Sequence, residues 1–176
     1  MPNIFFASDH HFHHANILTF KRDDGTPLRD FSSVEEMDEH MVEQHNSVVR
    51  PGDKVYFLGD VVMSRKTSAL DILWRMNGEK ILIKGNHDLC SLSAYAAHFK
   101  DVRGSHQFDG LIMTHIPIHP ESLARWGLNV HGHLHANVVR RELSHLPDPR
   151  YFSVCMERIN YTPISLEEVK KQVKMR

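Results

Sequence analysis

Gly85-Asn86-His87-Asp88, set directly behind the apolar run Ile81-Leu82-Ile83, is the stretch whose reading decides the fold. An amide, an imidazole and a carboxylate stand together where a buried strand should end, and a plain surface turn has no need of all three. Four other places repeat the pattern of strand end, then His, Asp or Asn. Asp9 and His11 follow the apolar residues 3–8, and Asp60 follows residues 54–58 through Gly59. His115 comes straight off residues 111–114, and His133 and His135 follow residues 128–130. In D-x-H the two-residue spacing puts Asp9 and His11 on one side of an extended or turning backbone, and G-H-x-H again places two imidazoles two residues apart. The five places read as one site.

The intervening segments explain how they can meet. Ser32-x-x-Glu35 and Ser33-x-x-Glu36 both fit a capping box. Val34, Met37, Met41, His45 and Val48 then fall on one helical stripe. Arg50-Pro51-Gly52-Asp53 stops that helix. Residues 67–76 read as a second helix closed by Asn77-Gly78. The order strand, helix, strand, helix, strand implies parallel strands with their C-terminal ends along one edge, where open α/β sheets hold their ligands. Farther on, residues 92–99 read as a short helix. Residues 102–108 and 111–114 read as a hairpin turning at Asp109-Gly110. Residues 151–156 read as a last strand, and Ser165-x-x-Glu168 caps a final helix. Repeats and linker-like stretches are absent, so residues 1–176 read as a single domain.

Composition narrows the function classes. Apolar content of 41% and charged content of 24% are those of a soluble globular protein. A formal net charge of -1 gives no bulk electrostatic case for gripping a long nucleic acid. Cys90 and Cys155 are far apart, which argues against a disulfide framework or a structural cysteine–zinc site. No apolar run is long enough to span a bilayer and the first residues lack a basic leader, so the expected home is the cytoplasm. Fifteen histidines are many for this length, and they cluster at the strand ends.

The candidate groups are Asp9, His11, Asp60, Asn86, His115, His133 and His135. A structural zinc site would be closed by four Cys or His ligands, and a calcium site would be mostly oxygen. This mixed set is too large for one tetrahedral ion, whereas two ions sharing one carboxylate use it all. Metals ~3.5–4 Å apart hold a bridging hydroxide and clamp the attacking and leaving oxygens of an in-line displacement. Phosphoryl transfer suits that arrangement, because its transition state spreads negative charge over oxygens.

D-x-H, G-D, G-N-H-D, a strand-end H and G-H-x-H, in this order, resemble the calcineurin-like metallophosphoesterase superfamily. Asp9-x-His11-Phe12-x-x-x-Asn16-Ile17 and Tyr161-x-Pro163-Ile164-Ser165 resemble its small prokaryote- and phage-type members. The resemblance implies a four-layer α/β sandwich of two mixed sheets flanked by helices, with a dinuclear site at the strand C-terminal ends. It implies that Asp9, His11 and His135 hold one divalent ion and that Asn86, His115 and His133 hold the other, with Asp60 bridging. Manganese comes first, with nickel, zinc or iron as alternatives. His87 would act as the acid over the substrate phosphate, and Asp88 would hydrogen-bond His87 or a neighbour to set its orientation.

The expected activity is hydrolysis of a phosphodiester or phosphomonoester, with a small nucleotide or cyclic nucleotide favoured. Nucleic acid as substrate is the main alternative, and a non-catalytic binding scaffold on the same fold is the rival class. Arg22 and Arg29, on the irregular loop 15–31, offer planar forks to a phosphate oxygen, against the plainer reading of solvated surface arginines. His14 is a further candidate for touching substrate, while His10 and His13 carry no assigned role.

Overall fold

The computed structural model describes residues 2–174. Its first sheet is built from β1 (Ile4–Ala7), β2 (Lys54–Phe57), β3 (Glu79–Ile83) and β4 (Asp101–Arg103), all parallel. Its second sheet contains β5 (Ser105–Phe108), β6 (Leu111–Thr114), β7 (Leu128–His131) and β8 (Tyr151–Ser153). There β5–β6 is antiparallel and β6–β7–β8 parallel. A short β9 (Ile164–Ser165) adds an antiparallel edge to β1. The molecule is thus α/β with two mixed sheets, and no described helix is long and apolar enough to cross a membrane.

Strand alternation sorts the apolar residues into two layers. Phe6, Tyr56, Leu58, Ile81 and Ile83 point one way and pack against Leu111, Met113, Leu128, Val130 and Phe152 of the second sheet. Phe5, Val55, Phe57 and Leu82 point the other way, onto Met37, Met41 and Val42 of helix α1 (Val34–Val48) and onto Leu70 and Leu73. Burial on both faces is why these strands read as unbroken apolar runs rather than alternating ones.

Local signals behave largely as the chemistry dictates. Ser33 caps α1, accepting from the Glu36 amide at 3.1 Å, while Glu36 bonds back to the Ser32 amide at 2.7 Å. After α2 (Leu92–Ala96), the last helix α3 (Leu166–Lys174) carries the capping box at its start: Glu168 N donates to Ser165 Oγ at 3.2 Å, and Ser165 N donates to Glu168 at 3.1 Å. The helix expected over residues 67–76 forms over Thr67–Arg75, wound as a 3-10 helix. The strand expected over 102–108 is two strands, β4 and β5, parted at Gly104 and belonging to different sheets. The chain crosses from one sheet to the other at that point, which no apolar periodicity marks.

His45, on the apolar stripe of α1, is buried and engages the Asn77 carbonyl through Nε2 at 2.9 Å. Burial pushes this imidazole down to about 4 against the partial support of that carbonyl. Between about pH 6.5 and 4 the unfolded chain therefore takes up a proton that the folded chain refuses. Stability from this group is complete above 6.5 and is lost as pH falls. Acidification from pH 7 to 5 should cost the parent protein about 2 kcal/mol more than His45→Gln. Denaturant unfolding at both pH values checks this, and equal losses would contradict it.

Candidate metal centre

The C-terminal ends of β1, β2, β3, β6 and β7 meet at one edge, where the sheets adjoin. Ser8, at the end of β1, bridges in parallel to Cys155 beyond β8, tying the two sheets together. Asp9 follows and is fully buried. Its Oδ2 accepts from Ser8 Oγ at 2.6 Å and from the His133 amide at 2.8 Å. Its Oδ1 has no hydrogen-bond partner among the described residues. That free oxygen lies 3.8 Å from His11 Nε2 and 4.0 Å from His135 Nε2.

Asp60, at the end of β2, occupies the middle. Its Oδ1 accepts the His87 amide at 2.7 Å. Its Oδ2 stands 3.7 Å from His11 Nε2 and 3.3 Å from His115 Nε2. Asn86 Oδ1 lies 2.9 Å from the same His115 nitrogen. Two groups of side chains could hold a cation: Asp9, His11 and His135, and Asp60, His115 and His133, each with ligand atoms within 4.8 Å of one another. The sequence reading named all six, and the structure gathers them together with Asn86.

Three observations favour a cation rather than a polar cluster closed on itself. Both ring nitrogens of His11, like Asp9 Oδ1, are buried and unpartnered among the described residues, which is costly unless something else meets them. Asp9, His11, Asp60, His133 and His135 all have left-handed backbones, with φ between 50° and 71°; such strain concentrates where function imposes it. The outward nitrogens are already engaged. His115 Nδ1 donates to the Leu58 carbonyl at 2.7 Å, and His135 Nδ1 sits 3.1 Å from Glu157, so each Nε2 faces the site. A donor set of imidazole, carboxylate and amide suits a first-row divalent metal.

The electrostatics fit as well. Burial favours a neutral Asp9, but the neighbouring His11, His115 and His135 imidazoles hold it well below the usual carboxylate range. Asp60 is also lowered: burial opposes ionisation, and the His115 contact outweighs it. His115 and His135 are raised despite burial, by Asp60 and Glu157 respectively. The pocket is built to keep anions ionised and to attract positive charge.

Glycine is required where the chain passes closest to these anions. A Cβ at Gly85 would collide with Asp60 Oδ1, and one at Gly132 would collide with Ser8 Oγ and Asp9 Oδ2.

Other expected roles are narrowed or revised. Of the two partners expected for Asp88, His87 or a neighbour, the fully buried carboxylate takes neighbours: it accepts from the amides of Asp60 at 3.0 Å, Gly85 at 2.7 Å and Val61 at 2.9 Å. Beside three amides, this carboxylate staples the β2 and β3 loops together, so it positions Asp60 rather than touching substrate. Arg29 is not available to a phosphate. It is buried, with Nε 2.7 Å from Glu157, Nη1 2.6 Å from the His10 carbonyl and Nη2 on the Asp9 carbonyl. Arg22 does lie beside the site, in a cleft of about 510 Å³ with Phe20, Lys21, His133 and His135, although its guanidinium also touches the Pro27 and Leu28 carbonyls. His14 packs 5.6 Å from the His11 ring and against Phe20. His87 is half-buried over the site, with its ring 5.7 Å from that of His11. His10 stacks on Phe12 and Phe57, and His13 joins Asp38 at 2.9 Å, so both are structural.

Glu157 is the functional residue that sequence reasoning missed. Arg29 holds it in a wholly buried ion pair, and it in turn orients His135. Replacing Glu157 by Gln should weaken Mn²⁺ binding at the Asp9 group by about 10–100-fold, the usual effect of losing such a support. Titration calorimetry would read this, and unchanged affinity would contradict the arrangement.

No family model matches the chain. The Gene 66 protein of Mycobacterium phage D29 is 25% identical over 98% of this chain and 96% of its own length. The crystal structure of AQ665, a protein of unknown function from Aquifex aeolicus, superposes with a TM-score of 0.72 over 98% of this chain and 100% of that one. At 23% identity, that likeness speaks for the fold alone. A third relative aligns over 98% of this chain and 92% of its own length at 34% identity, and on that match the chain belongs to the family of the uncharacterized protein MJ1445 of Methanocaldococcus jannaschii.

Proposed function

We propose that the protein is a metal-dependent phosphoesterase of the calcineurin-like metallophosphoesterase type, with its two sheets forming the core of a four-layer sandwich. On this reading Asp9, His11 and His135 hold one divalent cation, while His115, His133 and Asn86 hold a second. Asp60 is shared between them. The observation that carries the reading is the place of Asp60 Oδ2, 3.7 Å from His11 and 3.3 Å from His115, between two ligand groups that no single tetrahedral ion could use together. Manganese is the first candidate, with nickel, zinc or iron as alternatives. The cations would lower the pKa of a water nucleophile and draw negative charge off the phosphoryl oxygens.

The chain supplies the rest. His87 stands at the mouth, its backbone fixed by the bond from its amide to Asp60 Oδ1. Its imidazole can give a proton to the leaving oxygen, which would otherwise depart as an alkoxide. Asp88 holds the Asp60 and Gly85 amides in place, which keeps His87 in register with the shared carboxylate. The cleft beside His133 and His135 has room for the organic part of a small ester such as a nucleotide or cyclic nucleotide, with Lys21 and Arg22 on its wall.

A panel of cyclic nucleotides, phosphomonoesters and single-stranded DNA, assayed with Mn²⁺, tests the activity. Turnover should be highest on a small ester and should fall about 10²–10⁴-fold in His87→Ala, while that variant binds metal as the parent does. Full activity in His87→Ala would remove its role as the acid. Metal binding without turnover of any panel member would favour a scaffold.

A further inference from the structure

Behind the loop that carries His133 and His135 lies a second cavity, of about 340 Å³. Ala136 and Asn137 line both this cavity and the cleft beside the candidate metal ligands, so they form the partition between them. The space is large enough for roughly ten waters, more than a bare phosphate fills.

Its walls carry several side-chain donors. Arg140 gives one N–H to the His145 carbonyl at 3.0 Å. The side chains of Arg158, Asn137 and Gln172 make no hydrogen bond or ion pair among the described residues, and all four line the cavity. Asp148 is the one carboxylate on the wall among the described residues, and it is spent on Arg150, with bonds of 3.0, 3.2 and 2.6 Å. Two arginines therefore line the same space, and among the described residues the carboxylate on its wall is already paired.

His131 adds a specific demand. It follows Val130 on β7, so it points away from the packed sheets and into this cavity, and it is 1% exposed. Its Nδ1 lies 2.8 Å from the Gly132 carbonyl, which only accepts, so the proton is on Nδ1. Its Nε2 is then a lone-pair acceptor without a partner among the described residues. The neighbouring Tyr151 hydroxyl does not serve it, being donated to the Ile118 carbonyl at 2.7 Å. A fully deprotonated oxyanion would meet that lone pair unfavourably, whereas one carrying an O–H would donate to it.

We propose that this cavity binds a hydrogenphosphate group, free or borne on a small alcohol, with Arg140 and Arg158 on its anionic oxygens and His131 Nε2 accepting its hydroxyl. The site is separate from the candidate metal centre and does not depend on the activity proposed for it.

The test is an amide-resolved NMR titration of the zinc-loaded protein with inorganic phosphate, with glycerol phosphate and with sulfate, which has no O–H at neutral pH. Phosphate should give saturable shifts at the amides of Asn137, Arg140 and Ser153. Sulfate should bind at least about tenfold more weakly, the value of one lost hydrogen bond. Tighter binding of glycerol phosphate than of phosphate would identify a phosphorylated alcohol as the natural occupant, and the reverse would identify free phosphate. Arg158→Ala, at an exposed side chain, should weaken either ligand about tenfold or more without disturbing the fold. Shifts confined to Asn86, His87 and His133, equal binding of sulfate, or an Arg158→Ala variant with unchanged affinity would each overturn the proposal.

Discussion

Asp9 and Asp60 are carboxylates at 0% and 2% exposure, and both lie within 4 Å of one imidazole nitrogen, that of His11. Their surroundings keep them ionised. Buried charge of this kind is costly unless positive charge and hydrogen-bond donors answer it. Backbone amides answer part of it, from His133 onto Asp9 and from His87 onto Asp60. The remaining lone pairs turn toward a ring of imidazoles. Much of the local architecture follows from holding these two anions at the seam of two sheets.

The cost appears in the backbone. Each of the loops leaving β1, β2 and β7 enters the left-handed region at a candidate ligand residue, and glycine stands where a side chain would strike a carboxylate. These strained turns are clamped from outside. Asp88 gathers three amides of the β2 and β3 loops. Arg29 gathers the Asp9 and His10 carbonyls and pairs with Glu157, which steadies His135. One buried guanidinium thereby links the turn after β1 to the loop after β7. Removing either partner of that pair would leave a lone buried charge, a defect of about 3–5 kcal/mol.

The residues that the sequence exposes are those that chain geometry forces into a local pattern. Strand ends are legible because runs such as Ile81-Leu82-Ile83 are buried on both faces and stop abruptly at a polar group. Capping boxes at Ser32-Ser33 and Ser165 are legible because three-residue spacing suffices to make them. What escaped is non-local. Arg29 and Glu157 are separated by 128 residues, and nothing near either one announces the other, so Arg29 reads as a surface group. For Asp88 the sequence leaves His87 or a neighbour as partner, and only the fold decides, turning its side chain inward to amides contributed by both loops. The passage from β4 to β5 also escapes, because a switch between sheets at Gly104 leaves an extended pattern in both directions.

The proposed reading stands on two cations sharing Asp60. Anomalous diffraction from crystals grown with Mn²⁺ addresses this directly. The account predicts two peaks per chain about 3.5–4 Å apart, one beside Asp9, His11 and His135, the other beside His115, His133 and Asn86, with Asp60 between them. A single peak, or none within reach of Asp60, would contradict it.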